Sequence, residues 1–309
     1  MPRPVAPGYL DTPLRREGMD HDHYDWRATW SRPRLVWPGG VRLGVWFQVA
    51  VEWFPLDIGA QPFLPTGAPG RPYPDTQTYT QRDYGNRVGI YRMMDAFRAA
   101  GAPVSAFVNA RVAERYPLLM RHILEEGWEV VAAGLDAGAL HHEGLSEAAE
   151  RGMIAEALGL LRARGAAPAA WHSPSWSQST RTPALLVEAG MRAMADWPND
   201  EAPYEFRTPS GPIMSLPGAY ELSDRKILIE RTNTLADFED QMLRAFRRLR
   251  REAAEGPGGR LLAINLSPWI MGQPYRIAGL ERLLAAMLAS EDVAAVTVPA
   301  IVAAHAAAS

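Results

Sequence analysis

Leu266-Ser267-Pro268-Trp269-Ile270-Met271-Gly272-Gln273-Pro274-Tyr275-Arg276-Ile277 decides the reading of this chain. The apolar run Leu261 to Leu266 reads as a strand, and Leu280, Leu283, Leu284, Met287 and Leu288 line one face of a following helix. Ser267 then stands at the carboxyl end of a late strand, where a parallel α/β barrel gathers its working groups. A second stretch, Asp196-Trp197-Pro198-Asn199-Asp200-Glu201, puts a carboxylate at the end of an earlier strand.

Outward from these, strands and helices alternate. Val41, Leu43, Val45, Phe47, Val49 and Val51 mark a strand apolar enough on both faces to be buried, ending in Glu52-Trp53-Phe54. Ile90, Met93, Met94 and Phe97 fall at helical spacing, and Gly101 with Pro103 stops that helix. Val104 to Val108 is a strand, 111–126 a helix, and Trp128 to Ala132 a strand. Ser146 caps a helix lined by Met153, Ile154, Ala157, Leu158 and Leu161. Thr182 and Pro183 open the next as cap and first residue, and Gly190 closes it. Phe238, Met242, Phe246 and Leu249 mark a later one, ended by Gly256-Pro257-Gly258-Gly259. Such alternation implies a mainly parallel sheet with helices outside, as an open doubly wound sheet or as a barrel. Residues 1–36 read as an arm packed on a single domain, 37–309. The Pro- and Gly-rich segment 55–85 reads as a loop or lid.

The chain has 309 residues, 47% of them hydrophobic, enough for a large core. A net charge of −3 without a basic run argues against nucleic-acid or membrane-surface partners. Cysteine is absent, which removes disulfides and thiolate metal sites. Neither a signal peptide nor a membrane span is legible, so a cytoplasmic protein is the expectation.

In their order and spacing the phrases resemble the polysaccharide-deacetylase-like superfamily, in its branch of allantoinases and cyclic-imide hydrolases. The phrases are Asp20-His21-Asp22-His23-Tyr24-Asp25-Trp26, Glu52-Trp53-Phe54, Arg82-Asp83-Tyr84-Gly85-Asn86-Arg87, Ala132-Ala133-Gly134, Trp171-His172-Ser173-Pro174 and the two stretches above. The resemblance implies a distorted, incomplete (β/α) barrel. It also implies a metal site with two histidines, but Ala133 stands where Gly-His-Gly is usual and Ser267 where Leu-His-Pro-Trp is usual. Of the seven histidines only His172 lies in a core motif. The expectation is therefore no cofactor and no metal. A relocated zinc on Glu52, His172 and His141 or His142 is the lesser alternative, against a solvated loop pair for the two neighbouring histidines. Asp20-His21-Asp22-His23 reads as arm packing rather than as a metal site.

Cleaving a cyclic amide without a metal needs a base for water and a donor for the developing oxyanion. Glu52, beside Trp53 and partly desolvated, and His172 are the acid–base candidates, with Asp196 to orient or else to pair with an arginine such as Arg82. Substrate-binding candidates are Trp53, Arg82, Ser175, Trp176, Gln178, Trp197, Asp200, Ser267, Trp269, Gln273 and Arg276. Aromatic walls with a few polar groups suit a small flat ligand. The reading is a metal-independent hydrolase of a C–N bond in a small cyclic amide, imide or ureide. The alternatives are a catalytically inactive binding protein, or the silent subunit of a complex with an active paralogue, and an isomerisation or decarboxylation on the same residues. A homo-oligomer is expected.

Overall fold

The computed structural model describes residue 8, residues 11–56 and residues 74–308. Its strands are β1 (Leu43–Val51), β2 (Ser105–Val108), β3 (Glu129–Ala132), β4 (Ala170–Trp171), β5 (Ala193–Met194), β6 (Tyr204–Phe206), β7 (Ile213–Ser215), β8 (Arg260–Leu266) and β9 (Val293–Ala295). They form one sheet in the order β6-β7-β5-β4-β3-β2-β1-β8, with β9 also on β1. Every pairing is parallel except β6 with β7. The order ends at β6 and β8 without closing, so the sheet is the incomplete, distorted (β/α) barrel that the motifs implied.

Side-chain alternation along β1 divides two cores. Leu43, Val45, Phe47, Val49 and Val51 pack outward with Met93, Met94 and Phe97 of helix Ile90–Ala100. Trp46 points inward to join Phe107, Val131, Ala133, Ala170, Ala193 and Leu216. A strand covered on both faces has no polar side to show, which is why its sequence lacks a clean alternation. The inner core is floored by Leu35 from the arm, by Trp37 just after it, and by Val298, Ile301 and Ala304 of helix Val298–Ala306. Trp37 needs two glycines to seat its ring: a Cβ on Gly44 would lie 2.6 Å from it, and one on Gly259 2.4 Å. Its indole N–H donates to the Arg260 carbonyl (3.0 Å).

Several helix limits differ from expectation for identifiable reasons. The helix expected over 111–126 is two, Ala110–Arg115 and Pro117–Glu125. Pro117 disfavours helical backbone at Tyr116, which sits at φ −124°, ψ 62°. Ser146 caps as expected, accepting the Ala149 N–H (3.2 Å). Thr182 is not a cap but the first residue of Thr182–Glu188, and Arg181 precedes it. Of segment 55–85, residues 57–73 lie outside the described ones. Its last part is not loop but helix Thr76–Tyr84, capped by Asp75, whose side chain accepts the Thr78 N–H (2.9 Å). This helix has no apolar stripe because its buried residue is Arg82, stacked between the rings of Phe54 (5.2 Å) and Trp269 (4.5 Å). Among the described residues no helix is long and apolar enough to cross a membrane.

Candidate active site

The carboxyl ends of the strands surround a pocket that opens to solvent. Ala50 and Glu52 reach it from β1, Phe107 and Asn109 from β2, Ala133 from β3, His172 from β4 and Asn265 from β8. Ser175, Trp176 and Tyr220 add one wall, and Arg225, Lys226 and Glu230 of the helical turn Arg225–Glu230 add another. Alternation explains the convergence: Trp46, Gln48, Ala50 and Glu52 share the inward parity of the β1 segment.

His172 is held from behind. Its Nδ1 lies 2.9 Å from Asp196 Oδ1 and 3.1 Å from the Ala195 carbonyl oxygen, both acceptors. The proton therefore belongs on Nδ1, which leaves Nε2 as the basic nitrogen. Asp196 is buried and fixed in turn by the Ser173 N–H (2.6 Å), the Ser173 hydroxyl (2.9 Å) and Gln178 Nε2 (2.6 Å). Its carboxylate is committed to this cluster and is not the partner of Arg82. Gln178 Oε1 accepts the Trp197 indole N–H (2.9 Å). Trp197 belongs to an aromatic cluster that docks the arm, with ring centroids 5.5 Å from His21, 6.0 Å from His23, 6.0 Å from Tyr24 and 5.0 Å from Phe206. Arm packing thus continues through Trp197, Gln178 and Asp196 to the imidazole.

Trp176 forms the wall beside His172, edge to face at 4.6 Å and 81°. It is presented by a turn in which Ser175 (φ 54°) and Trp176 (φ 60°) both adopt left-handed backbone. For a bulky residue that conformation carries strain, and strain of this kind gathers at functional sites. Gly218 makes room, since a Cβ there would lie 2.1 Å from the Trp176 ring.

The Glu52 side chain is largely buried, but its carboxylate does not stand alone. It pairs with Arg225, and the Trp53 ring turns the other way, beneath Arg115 (4.2 Å). Of the fourteen candidates, Glu52, His172, Ser175 and Trp176 line the pocket. Asp196 and Gln178 stand behind it, and Trp197 one layer further out. Asp200 does not contribute: it pairs with Arg32 of the arm and accepts the backbone N–H groups of Glu201 (2.7 Å) and Ala202 (3.0 Å). Ser267 is fully buried and gives its backbone N–H to Asp224 Oδ2 (2.7 Å), so it lies beneath the pocket rather than in its wall. Trp269 is buried against Arg82. Gln273 donates to the Trp269 carbonyl (3.2 Å), and Arg276 lies over the exposed ring of Tyr275 (4.9 Å), so both serve the local turn.

His141 is neither a solvated loop residue nor a pocket ligand. It is buried, with Nδ1 3.2 Å from Glu150 Oε1 and its ring edge-on to Trp171. The arm's His23 stacks on Phe206 (4.4 Å), and its Nδ1 meets the Arg207 carbonyl (3.0 Å), which is packing.

Arg225, Lys226, Tyr220, Asn109 and Asn265 were not foreseen. Asn109 ties strand ends together: its Oδ1 accepts the Trp53 N–H (2.9 Å) while its amide N–H donates to the Ala133 carbonyl. Asp224, beneath Arg225, is fully buried, and burial pushes its carboxyl up to about 7 despite the Ser267 N–H and Arg225. The folded protein therefore holds that proton more tightly than the unfolded chain does. Asp224 costs nothing below about pH 4 and erodes stability as pH rises from there through about 7. Asp224→Asn keeps an acceptor for Ser267 and removes that erosion. Between about pH 4 and 7 the melting temperature of the native protein should fall relative to that of the variant, and above about 7 the gap should stay constant; parallel curves across the lower range would contradict the assignment.

No family model matches the chain. In sequence it is similar to a Schizosaccharomyces pombe protein named "Putative polysaccharide deacetylase", 25% identical over 275 residues, covering 82% of each chain. In structure it matches a "probable Polysaccharide deacetylase" of Pseudomonas aeruginosa PAO1 at a TM-score of 0.78, with 23% identity over 88% of this chain and 94% of that one. The fold is that of the polysaccharide deacetylases. The allantoinase Puue has the same fold, at a TM-score of 0.77 and 24% identity over 92% of this chain and 98% of that one.

The residues present in this deacetylase-type barrel do not fit the divalent ion that the family resemblance implies. Ala133 offers no donor, and Ser267 is buried under the pocket. The Glu52 carboxylate is engaged by a guanidinium, and a second cation, Lys226, lines the same space. Among the described residues no three His, Cys, Asp or Glu side chains gather as metal ligands.

Proposed function

We propose that this protein hydrolyses a C–N bond in a small cyclic amide, imide or ureide, with His172 as the base. The observation that carries the reading is the buried Asp196 against His172 Nδ1, which leaves Nε2 as the basic nitrogen of a pocket residue. The similarity to proteins named deacetylases and to an allantoinase supports the same class of bond.

Nε2 takes a proton from water as the water oxygen bonds to the ring carbonyl carbon. The carbonyl π electrons move onto oxygen. The alkoxide then re-forms the carbonyl, the C–N bond breaks, and the imidazolium returns the proton to the departing nitrogen. Asp196 stabilises the transient imidazolium and fixes the ring's orientation. Phe107, Trp176 and Tyr220 supply apolar walls for a flat ring. Glu52 holds the opposite side of the pocket through Arg225 and is not assigned the proton transfer.

The test is ring opening of hydantoin, succinimide and cyclic ureides, followed by chromatography of the acid products, with His172→Ala and Glu52→Gln as controls. Turnover lowered about 10³-fold by His172→Ala is expected. Binding of these rings without turnover would replace the enzyme by a binding protein.

A further inference from the structure

Asp224 and Arg225 are consecutive; one reaches Ser267, where the family resemblance leads one to expect a histidine ligand, and the other reaches Glu52, a ligand of the relocated metal site weighed above. The Asp224 carboxylate holds the backbone of Ser267, and the Arg225 guanidinium holds the carboxylate of Glu52. The dipeptide thus occupies the region between two strand ends, and places a positive charge in the lining of the pocket that His172 also enters. Both members of the Arg225–Glu52 pair are largely buried, at 15% and 19% exposure of their side chains, so solvent screens that charge little. The neighbouring cation is differently placed. Lys226 Nζ lies 3.2 Å from the Tyr220 hydroxyl, 2.8 Å from Glu230 and 4.8 Å from the Tyr220 ring, and its carboxylate partner is exposed at the rim.

We propose that Arg225 is a catalytic residue whose guanidinium polarises the substrate carbonyl, supplying from the chain itself the positive charge that a bound cation would otherwise bring. This rests on the hydrolase reading above. Glu52 is its positioning residue: it fixes the planar head so that an N–H donor faces the carbonyl oxygen as that oxygen gains charge. A guanidinium cannot lose its proton at working pH, so it acts as a donor and never as the acid that protonates the leaving nitrogen. That proton comes from His172, and the two roles stay separate.

The experiment compares the native protein with Arg225→Ala and Arg225→Lys, using two probes besides turnover. One probe is planar hydantoin. The other is its cyclic phosphoramidate counterpart, with a tetrahedral P–O⁻ centre where the carbonyl stood. Binding of each is read by calorimetry, and thermal melts confirm folding. Expected for Arg225→Ala is a loss of affinity for the tetrahedral anion of about 100-fold or more, with hydantoin affinity within a few-fold of native. In turnover, kcat falls about 10²- to 10³-fold with KM nearly unchanged. Added guanidinium ion restores part of the loss in Arg225→Ala and none in His172→Ala. Arg225→Lys, which keeps charge but loses the planar fork, falls between. Equal weakening of both probes, or of neither, overturns the role of Arg225 while leaving His172 as base. Failure of the native protein to bind either probe overturns this role and the hydrolase reading together.

Discussion

His172→Ala lowers kcat for ring opening by about 10³-fold, and Asp196→Asn lowers it by at least about 10²-fold with KM little changed. The asparagine keeps the size of the carboxylate but removes the charge that balances an imidazolium. An asparagine NH₂ turned towards His172 also favours the wrong tautomer, with the proton on Nε2. Asp196 accepts from Ser173 and Gln178 as well, so Asp196→Asn must be paired with a melting curve. A lost rate in a protein that still melts near the native temperature assigns Asp196 to orientation. Retained rate in Asp196→Asn would remove it from the mechanism, and retained rate in His172→Ala would remove the base itself.

Glu150→Ala destabilises the fold by about 3–5 kcal/mol, the cost of stripping one partner from a buried charge cluster. Glu150 is fully buried on helix Glu147–Arg162. It accepts from Ser179 Oγ (2.7 Å) and the Thr182 hydroxyl, and lies 3.2 Å from His141 Nδ1 and 3.4 Å from Arg181. Burial works against its charge, but the hydrogen bonds from His141, Thr182 and Ser179 outweigh it and hold the carboxyl below its usual range. Its contribution is therefore present above the ordinary glutamate pKa and is lost as pH falls through the depressed one. Chemical denaturation near pH 7 measures the effect. A loss under 1 kcal/mol would mean that the cluster relaxes without its carboxylate. The same knot fastens the loop bearing Ser177 and Gln178, since the His141 N–H donates to Ser177 Oγ (3.1 Å).

The barrel was legible because a parallel sheet repeats one physical rule, a short apolar strand followed by an amphipathic helix. β1, β8 and helix Leu235–Glu255 carry that rule plainly. β6 and β7, three residues each among prolines and glycines, do not, and neither does the polar helix Thr76–Tyr84. At the site, Glu52 and His172 could be placed because each directly follows a strand. Asp196 could be given its orienting role because it ends the neighbouring strand. Arg225 and Lys226 could not: they sit in Glu221-Leu222-Ser223-Asp224-Arg225-Lys226, where no strand or periodic stripe says which charge turns inward. Trp269 and Ser267 misled for the opposite reason, because a residue beside a strand end can point beneath the pocket as well as into it. His141 misled because polar loop composition suggests water, and only the fold shows Glu150 waiting behind it.

The contact between the arm and Trp197 has a consequence for timing. Tyr24 meets Asn199 (2.8 Å) across 175 positions, and Arg207 meets the carbonyl of Asp22 (2.8 Å) across 185. At ordinary rates of synthesis, on the order of ten seconds or more separate the emergence of the arm from that of its docking partners. The arm segment around Asp22 and Tyr24 must therefore wait, undocked, for strands that are made later. The chain of contacts from Trp197 to Gln178, Asp196 and His172 is completed only when that wait ends. A polypeptide halted between His172 and Asp196 owns the histidine without the buttress that orients it.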